Sequence, residues 1–241
     1  MLEVKNLKKR FGDFEAVKGV SFSVREGEVL GFLGPNGAGK STTMRMITGF
    51  LPPTEGTAVI CGHDITVEPV AAKSVLGYLP EAAPSYRAMT VRDYLGFIAE
   101  VRGFSGAKRD EKVAEALAAA KLEDKAAQTI ETLSKGYRQR TAFAAAILHD
   151  PKVLIMDEPT DGLDPNQKFT VREMIKAMAK KGKAIIISTH ILEEVDAVCT
   201  KAVVIADGEV KFDGTPEELR AMDPSGKLDV VFRNLTMKEA K

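Results

Sequence analysis

The chain has 241 residues, and Lys+Arg and Asp+Glu both number 34, so the formal net charge is zero. That balance gives no reason to expect a broad electrostatic partner such as nucleic acid. The length fits one large domain, or a domain with a sizeable subdomain. Cys61 and Cys199 form no metal or redox spacing and read as small hydrophobes in a reducing cytosol. Met1 to Lys5 lacks the apolar stretch of a signal peptide, and the longest apolar run, about Ala142 to Leu148, falls far short of the ~20 residues that span a bilayer. The expectation is a soluble chain that reaches a membrane only through a partner.

Residues 2–24 alternate apolar and polar in pieces, with Gly12-Asp13 and Gly27 as punctuation, and read as two antiparallel strands. Val29 to Leu33 is a short apolar run suited to a buried strand. Gly34-Pro35-Asn36-Gly37-Ala38-Gly39-Lys40-Ser41-Thr42 follows, with the spacing of a phosphate-binding loop. Its glycines let several backbone N–H groups converge on one anion. Lys40 is a compact point charge for a β- or γ-phosphate, and the Ser41 hydroxyl is a hard ligand for magnesium. Thr42 to Thr48 reads as a helix stopped by Gly49, so the helix N-terminus adds partial positive charge. Pro52 to Gly56 reads as a turn, Ala58 to Cys61 as a strand, Gly62-His63-Asp64 as a turn, and Val75 to Leu79 as a buried strand ended by Pro80.

From about 82 to 150 the pattern is helical, with helices marked by Val91 to Ile98, by the alanine-rich stretch 108–121, and by Tyr137 to Ile147 after Leu133-Ser134. This reads as a helical subdomain inserted in an α/β core. The α/β pattern resumes with a strand at Val153 to Met156, an amphipathic helix at Asn166 to Lys180, a strand at Ala184 to Ser188 and a helix at Ile191 to Val198. Asp207-Gly208 is a hairpin signal between two further strands. Thr215 and Pro216 open a short terminal helix as N-cap and first helical residue.

Two groups of residues add chemistry to the loop. Asp157, at the end of a buried strand, is a natural magnesium partner beside Ser41. Glu158, one residue on, points elsewhere and is placed to polarise a water against a γ-phosphate. Ser134 is a good N-cap, and Gly136 leaves backbone N–H groups open to an anion; on spacing alone this is an ordinary capped helix. His63 and His149 read as ordinary structural histidines.

Nearly the whole chain, roughly 1–220, resembles the nucleotide-binding subunit of ATP-binding-cassette transporters, with the motifs in that family's order. Gly34 to Ser41 is similar to the first Walker motif, Leu133 to Gln139 to the family signature, Val153 to Glu158 to the second Walker motif, Asp161 to Asp164 to the D-loop, and Ser188-Thr189-His190 to the strand end that carries the switch histidine. The resemblance implies a phosphate-loop NTPase core of mixed sheet, with an N-terminal antiparallel β-subdomain and an inserted helical subdomain. The ATP-binding domain would cover 1–221, leaving 222–241 as a short extension.

The resemblance also implies roles. Phe11 would stack on adenine; nearby Phe14 is the alternative, and is read as core in preference. Lys40, Ser41 and Thr42 would hold phosphates and Mg2+. Glu158 and His190 would serve the attacking water, with Lys40 completing the catalytic set. Ser134 and Gly136 would reach the γ-phosphate of ATP held by a second copy of the chain paired head to tail. The further partners implied are integral membrane permease subunits, which would put the chain on the cytoplasmic face of the cell membrane. A soluble cassette ATPase acting on nucleic acid or ribosomes is the alternative, and the single cassette and balanced charge speak against it.

Three places depart from the family's usual residues: Glu81 in place of Gln, where it is expected to keep a metal-linked role; Lys135 and Tyr137 in place of Gly and Gln in the signature; and Asp161 in place of Ser. The spelling around Tyr78 to Glu81 and Leu133 to Arg140 resembles cassettes of ABC-2-type exporters, including the gliding-associated group.

Overall fold

A computed structural model describes residues 1–82 and 85–237. Ala83, Pro84 and residues 238–241, which fall in the expected helical insert and C-terminal extension, lie outside the described residues. The elements in order are β1 (Leu2–Phe11), β2 (Phe14–Val24), β3 (Val29–Leu33), α1 (Lys40–Ile47), β4 (Glu55–Ile60), β5 (His63–Asp64), α2 (Pro69–Ser74), β6 (Leu76–Leu79), α3 (Val91–Val101), α4 (Gly106–Ala119), α5 (Lys135–Ile147), β7 (Val153–Asp157), α6 (Pro165–Lys180), β8 (Ala184–Thr189), α7 (Leu192–Val198), β9 (Lys201–Ala206), β10 (Glu209–Gly214), α8 (Pro216–Ala221) and α9 (Leu228–Thr236).

Two sheets form. One is antiparallel, in the order β2-β1-β4-β5. The other runs β10-β9-β3-β8-β7-β6 and is parallel except for the β9–β10 hairpin. The apolar runs of β3, β7 and β8 are buried on both faces, as central parallel strands require. Successive side chains alternate between two cores. Val153, Ile155, Ala184 and Ile186 face a core shared with α1 and the antiparallel sheet. Leu154, Met156, Ile185 and Ile187 face the helices α3 to α6.

Several boundaries differ from expectation. β4 begins at Glu55, inside the expected turn at 52–56, and His63-Asp64 pairs with β4 as a short strand instead of turning. α2 was not expected; Pro69 starts it and only Ala72 is buried, so its apolar stripe is too thin to read. The expected extension contains α9, whose Leu228 and Val231 close a third core with Leu33, Val204 and Leu219. The Asp207-Gly208 turn has positive φ at both residues, as a two-residue hairpin of matching twist demands. Thr215 forms a full capping box with Glu218. Burial pushes the Cys199 thiol up to about 12, which leaves it inert.

His149 ends the helical insert. Its Nε2 donates to the Leu76 carbonyl at 3.0 Å. Burial, reinforced by the Arg102 charge, pushes the imidazole down to about 4 from 6.5. The folded state thus binds fewer protons than the unfolded state between those values, so stability rises with pH across that window. Thermal melts should show Tm falling as pH drops from 6.5 toward 4, and His149→Gln, which keeps the donor but does not titrate, should flatten part of that slope. An unchanged slope would contradict the buried neutral ring.

Candidate nucleotide-binding and hydrolytic site

The parallel strands end together. Leu33 is in register with Thr189, and Asp157 with Ser188. The ends of β3, β7 and β8 therefore deliver the phosphate loop, the Asp157-Glu158 pair and His190 to one edge, where open α/β sheets place their ligands. The loop enters α1 through Gly39 at φ 103, and a Cβ there would meet the Ala16 carbonyl at 2.8 Å. Only glycine lets the loop fold this tightly against β2.

Lys40 curls back into this loop. It is 6% exposed and donates to the carbonyls of Gly34 at 2.7 Å and Pro35 at 3.2 Å. Glu158 lies 3.7 Å from its Nζ. Under the loop, Ser41 Oγ donates to Asp157 Oδ1 at 3.4 Å, and Ser188 Oγ donates to the same oxygen. Ser188 was not singled out by sequence; its role follows from strand register alone.

Glu158 has φ 49, a left-handed backbone that non-glycine residues adopt at a cost. That turn takes its side chain out of the strand's alternation and toward Lys40 and His190. His190 Nδ1 donates to the Glu158 carboxylate, 3.0 Å from both oxygens. One carboxylate thus bridges the loop lysine and the histidine.

A cleft of about 620 Å³ opens over these groups. Phe11, Pro35, Asn36, Gly37, Gly39, Lys40, Ser41, Thr42, Glu81, Glu158 and His190 line it, and all were expected there. Gly34, Ala38 and Asp157 sit behind the lining. Ser134 and Gly136 do not line it: Ser134 caps α5 by accepting from the Tyr137 N–H, and Gly136 packs on Gln167. Phe14 corrects an expectation. It is 65% exposed, pairs with Phe11 across the β1–β2 hairpin, and borders the cleft instead of the core. Its apolar character resembled a core position, but its place beside the turn faces it outward. Asp161 also borders the cleft.

The site fits a magnesium–nucleotide complex. Backbone glycines, a buried ammonium and hydroxyls face one space, which suits a polyphosphate. Among the described residues no cluster of three metal-ligating side chains exists. The Ser41 hydroxyl and the Asp157 carboxylate, in contact under the loop, are oxygen donors of the kind magnesium takes.

A family model described as ABC transporter matches residues 17–161, more than half of the chain. The chain belongs to the ABC transporter family. It is similar to the uncharacterized ABC transporter ATP-binding protein YxlF of Bacillus subtilis, 40% identical over 220 residues, which span 91% of this chain and 72% of that protein. It is also similar to the Nod factor export ATP-binding protein I of Burkholderia orbicola, 38% identical over 90% of this chain and 72% of the relative. A solved ATP-binding subunit of an ABC transporter superposes with TM-score 0.87 at 32% identity, covering 98% of this chain and all of that one. The cassette is an ATP-binding subunit, and its family couples ATP hydrolysis to transport. Among the described residues no helix is long and apolar enough to cross a membrane.

One support of the cassette's site was not legible in the sequence. Arg172 of α6 makes a double contact to Glu194 of α7, Nη2 to Oε1 at 2.7 Å and Nε to Oε2 at 3.1 Å. Glu194 is 1% exposed. The pair ties the helix after Asp161 to the helix after His190. Arg172→Met would strand a buried carboxylate, and the expected loss is about 3 kcal/mol, a Tm fall of about 6–12 °C. Adding Glu194→Leu should recover much of it, because an apolar pair replaces a buried ion pair at little cost. A single variant within 1 °C of the parent would show the pair to be solvent-screened.

Proposed function

We propose that this cassette binds ATP with Mg2+, hydrolyses it in a head-to-tail pair of two copies, and drives export through a separate membrane permease. The observation that carries this reading is the bridging position of Glu158, 3.7 Å from Lys40 and 3.0 Å from His190, inside a cleft that Ser134 and Gly136 do not reach.

Lys40 would exchange its carbonyl partners for the β- and γ-phosphates. Ser41, Asp157 and Glu81 would hold magnesium, which when bound neutralises phosphate charge and orients the reacting oxygens. Glu158 would orient the attacking water and accept its proton, while His190 holds the carboxylate in place and faces the γ-phosphate. Phe11 would stack on adenine, with Phe14 as a second apolar wall. Ser134 and Gly136 would come from the second subunit and complete each site. The pairing makes hydrolysis depend on ATP occupancy and loosens once the γ-phosphate leaves.

Export and the permease rest on the relatives, which include a Nod factor export ATP-binding protein. A groove of about 510 Å³ between β6, α3 and α5, bordered by Phe50, Tyr78, Ile98 and Val101, supports docking of a helical segment of that permease. This would place the chain peripherally on the inner face of the membrane. Purified protein should release phosphate from ATP with no second substrate. Glu158→Gln should abolish turnover and trap an ATP-bound dimer in light scattering. A variant that stays monomeric at saturating ATP would contradict the paired mechanism.

A further inference from the structure

Among the described residues, Arg172 is the sole side-chain partner of the buried Glu194 carboxylate. Arg172 Nε reaches both oxygens, at 3.3 and 3.1 Å, and Nη2 reaches Oε1 at 2.7 Å. A second acid, Glu193, stands 3.6 Å from Nη2 but lies open to water. A buried pair of this kind adds little stability over an apolar pair of similar volume. What it supplies is direction. N–H groups held in one rigid plane fix the rotation and offset of two helices, where apolar side chains can slide.

The two helices joined by this fork flank the reactive carboxylate. α7 takes Ile191 as its N-cap, so His190 sits just before its first turn. Val195 of α7 belongs to one core and Val198 to another, so the helix lies across a seam and Glu194 is its polar anchor. On the other side, tight turns lead from Glu158 to α6. The Asp161 N–H donates to the Glu158 carbonyl at 3.2 Å, the Leu163 N–H donates to the Thr160 carbonyl at 3.3 Å, and the Asp164 side chain caps α6. His190 Nδ1, 3.0 Å from both Glu158 oxygens, closes the circuit. It runs from Glu158 through α6 to Arg172, across to Glu194, and through α7 and His190 back to Glu158.

We propose, resting on the reading above that Glu158 and His190 serve the attacking water, that Arg172 and Glu194 are positioning residues for hydrolysis. Their planar fork sets where His190 stands against Glu158. Neither residue lines the nucleotide cleft, so the pair acts on turnover and leaves ATP binding alone. A reacting group displaced by about 1 Å costs up to about a hundredfold in rate, so a small slide of α7 is enough to be felt.

The test uses the full chain and the Arg172→Met/Glu194→Leu double variant, which removes the fork and keeps the packing. Its Tm should lie near the parent's, its kcat for ATP should fall about tenfold, and its KM should stay within about twofold. Arg172→Lys keeps the charge without the fork; it should lower kcat by about threefold, and it carries the same test if the double variant does not fold. The chain has 3 histidines, so the His190 ring signals in nitrogen-edited NMR are assigned by their loss in His190→Gln. They should shift in both variants while those of His63 and His149 stay in place. A parent-like kcat in the folded double variant would overturn the proposal. So would a fall in kcat with the His190 signals unmoved, which would put the loss elsewhere, or a rise in KM as large as the fall in kcat. A parent without ATPase activity, or a His190→Gln chain that keeps it in full, overturns the reading beneath the proposal, and the proposal with it.

Discussion

The site depends on the register of three parallel strands. β3, β8 and β7 are buried on both faces and apolar up to the polar ends of β7 and β8, so a slip of one residue would send every side chain into the wrong core. The register that satisfies both cores sets Asp157 against Ser188 and Leu33 against Thr189. From that alignment come the Ser188–Asp157 bond, the Ser41–Asp157 contact, and the short reach from Glu158 to Lys40 and His190. The chemistry is a property of strand ends, and the cores fix where those ends lie.

The charged side chains lining the cleft are mostly acidic, with Lys40 set against Glu81, Glu158 and Asp161. Lys40 is buried, and its charge is met by two loop carbonyls and Glu158. Glu158 also holds His190, so movement of the histidine-bearing segment, through the Arg172–Glu194 tie to α6, is coupled to Lys40 in the glycine loop. The unusual acids, Glu81 and Asp161, border the same cleft and add negative charge beside an anionic ligand. In the proposed complex magnesium would offset part of that charge, and Lys135 faces Asp161. Tyr137, the other signature departure, lies between cations, 5.3 Å from Lys125 and 4.2 Å from Arg140. Its aromatic face gives them a partner that the family's usual Gln would not.

Much of this was legible in the sequence because local chemistry demanded it. The glycine loop, the Asp207-Gly208 turn, the Thr215 cap and the paired strands at 2–24 each need particular residue types at particular places, and each formed as expected. What was hidden depends on contacts between distant segments. Ser188 gains its role only through register. Arg172 and Glu194 meet only after α6 and α7 pack. Glu158 is reoriented by a backbone turn that its residue type does not announce. Phe14 looked like core because an aromatic in an alternating strand usually is, but its place beside a hairpin turn put it at the cleft. α9 starts at Leu228, and its N-cap, Lys227, makes no side-chain cap, so its apolar spacing alone had to announce it.

The central claim is that each catalytic site is shared, with the phosphate loop from one chain and the signature from the other. Mixing two inactive variants tests it most directly. Lys40→Ala removes the loop's charge, and Ser134→Ala removes the signature hydroxyl. In a one-to-one mixture half the dimers are mixed, and each mixed dimer holds one intact site and one doubly impaired site. The ATPase rate of the mixture should therefore rise to about a quarter of the unsubstituted protein's, well above either variant alone. A mixture no more active than the average of its two components would contradict the shared site and return the whole reaction to a single chain.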